Sequence, residues 1–206
     1  MVDTVLGRSA TGRAAFLKMA LLALGGTAFI ALSAQVSVPF YPVPMTLQTL
    51  AILIVGLTFG ARLGAATLAL YLAEGAMGLP VFAGGASAPA LIGPTAGFLF
   101  GFAGMAWLVG LAADRGLARG FVMRALCCVV IAGLLYIPGV AWPMAVADMA
   151  GASGRWAGVS AEQVWTSWVS PFLLGDMIKA IVAALLVCGG RPIWKAHAKT
   201  VKAPKL

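Results

Sequence analysis

An aspartate and a lysine interrupt an otherwise apolar segment, FLLGDMIKAIVAALL, which covers residues 172–186. Asp176 and Lys179 are three residues apart, so on a helix they lie on one face and can contact each other or one ligand. A charged side chain in hydrocarbon costs about 2.5–3.5 kcal/mol, and such residues normally face the interior of a helix bundle and mark a functional site. The pair therefore predicts a polar ligand site inside a membrane. A self-neutralising pair that fixes helix packing is the alternative.

Two further places in the sequence carry polar chemistry in apolar surroundings. Glu74, in YLAEGAMG, is an acid near the end of an apolar run, where it either belongs to a site or reaches the membrane surface. In LIGPTAGF, the residues Gly93, Pro94 and Thr95 are typical of a helix start, because proline at the first helical position loses no hydrogen bond. The free amides of such a start can bind an anion such as a carboxylate.

The composition indicates what kind of protein must position these groups. Of 206 residues, 62% are hydrophobic and 10% are charged, so we expect an integral membrane protein. A spanning helix needs about 20 residues, and the length therefore predicts a single all-α membrane domain, residues 1–206, with six transmembrane helices. The apolar runs place these helices at about 16–34, 46–59, 63–79, 94–113, 122–142 and 168–187.

The basic residues are distributed asymmetrically about these spans. The formal net charge is +8. With the N-terminus inside, 12 of the 14 Lys and Arg residues fall in or beside inner segments: Arg8, Arg13, Lys18, Arg62, Arg115, Arg119, Arg124, Arg191, Lys195, Lys199, Lys202 and Lys205. Basic residues collect on the cytoplasmic side of membrane proteins, so we expect a multi-pass protein with both termini cytoplasmic. This accounts for the charge without nucleic acid as a partner, and the basic tail is expected to meet membrane lipid.

Two outer segments are stiff and apolar. Prolines prevent a continuous helix in VSVPFYPVPMTLQT, and prolines with a Gly-Gly pair do the same in GLPVFAGGASAPALIGPT. Non-helical backbone at membrane depth is tolerated only where it is buried in protein or lines a cavity. Both segments emerge on the same side, so they are expected to be buried or to line a cavity there.

Catalytic and metal-binding chemistry is not expected. The single histidine, His197, lies in the basic tail with no serine beside it. The three cysteines, Cys127, Cys128 and Cys188, lie in apolar runs without metal-ligand spacing and are interpreted as packing residues. We predict that the chain is not an enzyme and has no cofactor or metal site.

Four motifs follow one another with the order and spacing of a known family. PVPMTLQTLAI, GLPVFAGG, GPTAGFLFGF and PFLLGDMIKA resemble the BioY family, the biotin-specific S-components of energy-coupling-factor (ECF) transporters, over about residues 18–186. The resemblance implies an S-component-like bundle of six helices in the bacterial inner (plasma) membrane, with an outward-facing biotin pocket. It also implies partners that supply energy, a transmembrane coupling protein and two cytoplasmic ABC-type ATPases. The sequence itself lacks the G-x-x-x-x-G-K-[ST] motif of such an ATPase.

The motifs also imply which residues bind the substrate. The candidates are Asp176, Lys179, Gln48, Phe82, Gly93 and Thr95, with Glu74 and Tyr41 added from their chemistry. Biotin offers a ureido group, an apolar ring and chain, and a carboxylate. Asp176 can accept the ureido N–H bonds, and Lys179 can donate to the ureido oxygen or pair with the carboxylate. Phe82 and Tyr41 are expected to cover the ring.

The sequence departs from the family in two places. Ser87-Ala88-Pro89 and Ala96 stand where the family often has glycines. Related S-components dock the coupling protein through an Ala-x-x-x-Ala face on the first helix, and the best match here is Ala23 with Thr27, beside Ala20.

One alternative function stays open. Six helices can also form a self-assembling secondary carrier for biotin or a similar small carboxylate, independent of ATP. In such a carrier Asp176, Glu74 and Lys179 would relay protons.

Overall fold

The computed structural model describes residues 12–149, 151 and 154–189. Within these ranges five helices are long and apolar enough to cross a membrane: α1 Arg13–Gln35, α2 Gln48–Ala76, α3 Ala96–Asp114, α4 Gly120–Val146 and α5 Ala161–Gly189. Between α1 and α2, the strands β1 Ser37–Val38 and β2 Met45–Thr46 pair antiparallel, with Ser37 opposite Thr46. Two short 3-10 turns, Ala83–Gly85 and Ala88–Leu91, lie between α2 and α3.

Helix α2 consists of two antiparallel segments. The chain reverses at Gly60, whose φ of 80° is in a region that favours glycine. A Cβ added at Gly64 would lie 3.3 Å from the Cα of Gly56, and the Gln48 side chain reaches the Tyr71 hydroxyl at 2.8 Å. In a straight helix Gln48 and Tyr71 would be about 35 Å apart.

The predicted all-α, six-span fold is confirmed in this architecture. Spans 46–59 and 63–79 correspond to the two segments of α2, and each of the other four spans overlaps one helix. The largest difference in a boundary is at α5, which begins at Ala161 rather than near residue 168. There Ser160 forms a capping box with Gln163, which satisfies free amides at the helix start.

Helix α3 holds the reversal in α2. The Ala61 N–H, just after the turn, donates to Oδ2 of Asp114 at 2.9 Å. A Cβ at Gly110 would lie 2.5 Å from the Ala61 nitrogen, so the two backbones approach closely. Helices α2 and α3 therefore form the centre of the bundle, around the buried side chains Ile52, Leu68 and Val109.

Helices α4 and α5 each contain a π-type segment near the end that holds the β1–β2 pair. In α4, α-helical stretches Gly120–Leu134 and Tyr136–Ala141 are followed by the π-type segment Trp142–Val146, and a separate short turn, Ala147–Met149, comes after the helix. In α5, Ala161–Val164 is followed by the π-type segment Trp165–Val169 and the long stretch Ser170–Gly189. The extra residue per turn in such segments changes which side chains face the bundle.

The connections fall at two ends of the bundle because successive segments alternate in direction. The connections 36–47 and 77–95, and the described residues 147–149, 151 and 154–160, lie at one end, called here the outer end. The Gly60 turn and the connection 115–119 lie at the other end, called here the inner end. Among the basic residues assigned to the inner side, Arg8 and those from Arg191 onward lie outside the described residues.

Arg124, one of the basic residues assigned to the inner side, is buried between helices. Arg124 is only 2% exposed, and its guanidinium donates to Sγ of Cys188, which joins α4 to α5. Cys128 is buried near it in the core, and Cys127, Cys128 and Cys188 are free thiols.

Candidate ligand-binding cavity

A cavity of about 360 Å³ opens toward the outer end between the loops and helices α2 to α5. Its walls are mostly apolar, with the aromatic residues Phe82, Phe98, Phe102, Tyr136 and Phe172. Its polar side chains are Thr46, Gln48, Thr49, Thr95, Asp176 and Lys179. Small-molecule sites typically measure about 300–1,000 Å³ and combine apolar walls with a few placed polar groups. The cavity has the size and composition of such a site.

The central polar feature of the cavity is an ion pair on α5. Nζ of Lys179 lies 2.6 Å from Oδ1 of Asp176, and the two side chains are 10% and 13% exposed. Burial weakens solvent screening, so this pair interacts more strongly than a surface pair. Neither charge is left alone in the apolar interior.

Three neighbours fix the ion pair in place. The Thr49 hydroxyl donates to Oδ1 of Asp176 at 3.1 Å, and the Tyr136 hydroxyl donates to Oδ2 at 2.6 Å. The Lys179 ammonium donates to the Thr46 carbonyl at 3.0 Å. A carboxylate accepts about four hydrogen bonds and an ammonium donates three. Among the described contacts, one acceptor position on Asp176 and one N–H on Lys179 therefore remain for a ligand.

A second polar group, the Gln48 amide, is fixed by its own partners. It donates to the Tyr71 hydroxyl at 2.8 Å, which in turn donates to the Val81 carbonyl at 2.8 Å. The Thr46 hydroxyl donates to the Gln48 amide oxygen at 3.0 Å. The amide has two N–H groups, so the second can meet a ligand in the cavity.

Phe82 forms one aromatic wall of the cavity. Its ring is buried and packs edge-on against Tyr71, with ring centroids 5.3 Å apart. A Cβ at Gly75 would overlap this ring, so the absence of a side chain at Gly75 makes room for it.

The start of α3 lines the cavity nearer the outer end. Gly93, Pro94 and Thr95 all contribute to the wall. The Trp168 indole donates to the Pro94 carbonyl at 3.4 Å, and Asp176 lies eight residues further along α5, about 12 Å along the axis. The cavity thus has two polar ends with apolar walls between them.

Six of the eight candidate residues line this cavity, and Glu74 and Tyr41 do not. The Glu74 carboxylate accepts a hydrogen bond from the Thr27 hydroxyl of α1 at 3.0 Å, so it faces α1. Tyr41 is 81% exposed in the loop between β1 and β2, so its ring does not cover the cavity. The structure therefore does not bring Glu74 together with Asp176 and Lys179.

The first-helix pair Ala23 and Thr27 is buried and does not present a docking face. Between them in sequence, a Cβ at Gly26 would meet the side chains of Thr67 and Phe59, so this face of α1 packs against α2. A face already covered by the chain's own helix is not open to a partner.

Several cavity residues were not predicted from the sequence. Thr49 and Tyr136 contact Asp176 directly, and Phe172 lies one turn before Asp176 on the same face of α5. The signal for Phe172 was its spacing of four residues from Asp176. For Tyr136 the signal was a hydroxyl within the apolar run GLLYIPG.

In the part of the chain that the structure describes, no group of three His, Cys, Asp or Glu residues is placed to hold a metal ion.

Comparisons with known proteins identify related chains. Residues 8–197 match the BioY family. The chain is 37% identical over 164 residues to the biotin transporter BioY of Thermotoga maritima, covering 78% of this chain and 88% of that protein. It is 34% identical over 176 residues to the biotin transporter BioY of Rhizobium etli, covering 79% and 87%. Its fold is similar to a crystal structure of the S-component for biotin from an ECF-type ABC transporter, with a TM-score of 0.67, 23% identity, and coverage of 88% of this chain and 95% of that one.

Proposed function

Because the chain belongs to the BioY family, we propose that it is a high-affinity biotin-binding subunit of the bacterial plasma membrane that mediates biotin uptake. The observation that carries this proposal is the buried pair of Asp176 and Lys179, which retains one free acceptor position and one free N–H inside an apolar cavity.

The polar groups left free match one half of biotin. A ureido group has two N–H donors and a carbonyl acceptor. One N–H can donate to Asp176, and the carbonyl can accept from Lys179 and from the free N–H of Gln48. Charge-assisted hydrogen bonds of this kind are each worth about 1.5–3 kcal/mol. Together with burial of the ring between Phe82, Phe98 and Phe172, they support nanomolar binding, about −12 kcal/mol.

Electrostatics gives biotin a direction in the cavity. A carboxylate beside Asp176 would be repelled, so the ureido group lies at the Asp176 end. The carboxylate then points outward, to the start of α3, where the Thr95 hydroxyl can donate to it and the positive end of the helix dipole favours a negative charge. The first amide of α3, at Ala96, already donates to the Gly93 carbonyl at 3.1 Å. The separation of about 12 Å between Trp168 and Asp176 along α5 is similar to the length of an extended biotin molecule.

Energy for uptake comes from other proteins in this proposal. A transmembrane coupling protein and two cytoplasmic ABC-type ATPases would drive transport, because the sequence lacks the phosphate-binding motif of an ATPase. Both termini would then face the cytoplasm, where the ATPases are, and the outer end with its cavity would face away from it. Membrane lipid would cover exposed apolar side chains such as Leu32 of α1 and Val122 of α4.

The alternative of an ATP-independent proton-coupled carrier receives less support. A proton relay through Asp176, Glu74 and Lys179 would support such a self-assembling carrier, but the Glu74 carboxylate bonds to Thr27 and lies outside the cavity.

Retention of biotin by the purified chain tests the proposed function. The chain alone, in detergent, should bind radiolabelled biotin and keep it through detergent exchange. Unlabelled biotin should displace the label, and riboflavin or thiamine at the same concentration should not. Equal displacement by all three vitamins would refute the assignment of biotin.

A further inference from the structure

Two tryptophans from different helices hold the turn that leads into α3. The Trp142 indole N–H of α4 donates to the Gly93 carbonyl at 2.9 Å, and the Trp168 indole N–H of α5 donates to the Pro94 carbonyl at 3.4 Å. Both indoles are buried, so each N–H would lack a partner if it did not meet its carbonyl. Both carbonyls belong to residues that line the cavity, although neither indole lines it.

Both indoles come from π-type segments of α4 and α5. Trp142 begins the segment Trp142–Val146, and Trp168 lies within the segment Trp165–Val169. Such segments are rare in proteins and occur frequently at functional sites. Within the second segment, Trp168 is buried whereas Trp165 is 55% exposed, so only Trp168 faces the bundle.

Two glycines bring the first turn of α3 against α4 at the same place. A Cβ at Gly97 would lie 2.6 Å from the Cβ of Trp142, and a Cβ at Gly139 would overlap the ring of Phe98. Phe98 lines the cavity, so the contacts that seat Trp142 also set the position of one cavity wall.

We propose that Trp142 and Trp168 are positioning residues that fix the Gly93–Pro94 turn where it meets the outer end of the bound ligand. The inference rests on the proposed function, in which biotin places its carboxylate at this turn. The Asp176 and Lys179 pair is held by other residues, Thr46, Thr49 and Tyr136. Loss of an indole N–H therefore changes recognition of the ligand's outer group and leaves recognition of the ureido group intact.

The experiment compares two ligands that differ only at the outer end. Dissociation constants are measured for biotin and for biotinol, in which a hydroxymethyl group replaces the carboxylate, on the full-length protein in detergent. In Trp142→Phe, biotin binding weakens by about three- to tenfold, the effect of one hydrogen bond, whereas biotinol binding changes by less than about twofold. Trp168→Phe shows a smaller change in the same direction, because its hydrogen bond is longer. The matched control Trp165→Phe leaves both constants unchanged.

Phenylalanine is smaller than tryptophan, so a second replacement separates the hydrogen bond from packing. Placing 3-benzothienylalanine at position 142 keeps the bicyclic shape and removes the N–H. It should reproduce the selective loss of biotin affinity. An equal loss of affinity for biotin and biotinol, or no loss of biotin affinity with this replacement, would overturn the positioning role. A wild-type chain that binds no biotin would overturn the proposed function as well.

Discussion

The Tyr136 hydroxyl of α4 lies 2.6 Å from Oδ2 of Asp176 on α5 and donates a hydrogen bond to it. The same two residues also line a second hollow of about 410 Å³, whose other walls include the exposed side chains of Leu173, Leu174 and Met177. This hydrogen bond therefore lies in the wall that separates the ligand cavity from the second hollow on the outer surface of α4 and α5. It links the wall of the cavity to the group that we propose binds the ureido.

Replacing Tyr136 with phenylalanine removes this hydrogen bond and keeps the ring. A hydrogen bond to a charged group contributes about 1.5–3 kcal/mol, so Tyr136→Phe should weaken biotin binding by about tenfold or more in isothermal titration calorimetry. Tyr41→Phe is the matched control, because Tyr41 is exposed and lies outside the cavity. Equal affinities for the two variants would show that Tyr136 does not orient Asp176 for the ligand.

An alanine at position 75 should disturb the cavity through Phe82. Because the added Cβ overlaps the Phe82 ring, Gly75→Ala should displace the ring or strain the core at a cost of about 1–3 kcal/mol. We expect a lower melting temperature without ligand and weaker biotin binding. Gly104→Ala is the control, since a Cβ there would meet no atom within 4 Å apart from the adjoining backbone of its own helix, and it should be neutral or slightly stabilising. A fully stable Gly75→Ala variant with unchanged affinity would contradict the packing described.

The inner-end contact between Asp114 and Ala61 should affect stability and not affinity. Asp114→Ala removes the acceptor for the first amide after the Gly60 reversal, which should lower stability by about 1 kcal/mol. Asp114→Asn keeps an oxygen acceptor for the Ala61 N–H, so its loss of stability should be smaller than that of Asp114→Ala. Thermal unfolding in detergent measures the stability of the two variants. Titration should give the wild-type biotin affinity for both variants, because the ligand cavity opens at the outer end, away from Asp114. A large loss of affinity in Asp114→Ala would mean that the two ends are coupled.

Cysteine labelling tests the proposed orientation in the membrane. In a background without Cys127, Cys128 and Cys188, a membrane-impermeant maleimide added to intact cells should label Tyr41→Cys at the outer end. Leu117→Cys, in the exposed connection between α3 and α4, should be labelled only after the cells are opened. Labelling of Leu117→Cys and not Tyr41→Cys in intact cells would reverse the orientation.

Local sequence patterns were enough to predict the spans and the central pair. Apolar runs located the helices, and the spacing of Asp176 and Lys179 placed both on one face of α5, as the structure shows. The family resemblance, drawn from four motifs, is confirmed by the comparisons, and with it the prediction that the chain is not an enzyme. Gln48 and Phe82, which the resemblance implies as substrate-binding residues, both line the cavity, and their role in binding stays a prediction.

Contacts between distant segments were what the sequence did not reveal. Glu74 is acidic and near the outer end, like a site residue, but the direction of its side chain depends on how α1 packs against α2. Tyr136 and Thr49 reach Asp176 from other helices, across 40 and 127 residues of sequence. The π-type segments that contain the buried Trp142 and Trp168 have no simple periodic signal in the sequence.

In the proposed function, Asp176 and Lys179 bind the ligand and do not only neutralise each other. Asp176→Asn and Lys179→Met should each weaken biotin binding by about ten- to a hundredfold, because each leaves a ligand group unpaired and one charge buried without its partner. The most direct measurement is the biotin dissociation constant of the double variant, Asp176→Asn with Lys179→Met, determined by calorimetry on folded protein. Charge balance is restored in this variant, so a pair that serves only packing predicts recovered stability and wild-type affinity. We predict instead that its affinity remains at least about a hundredfold below wild type, and a wild-type dissociation constant would contradict the ligand role of the pair.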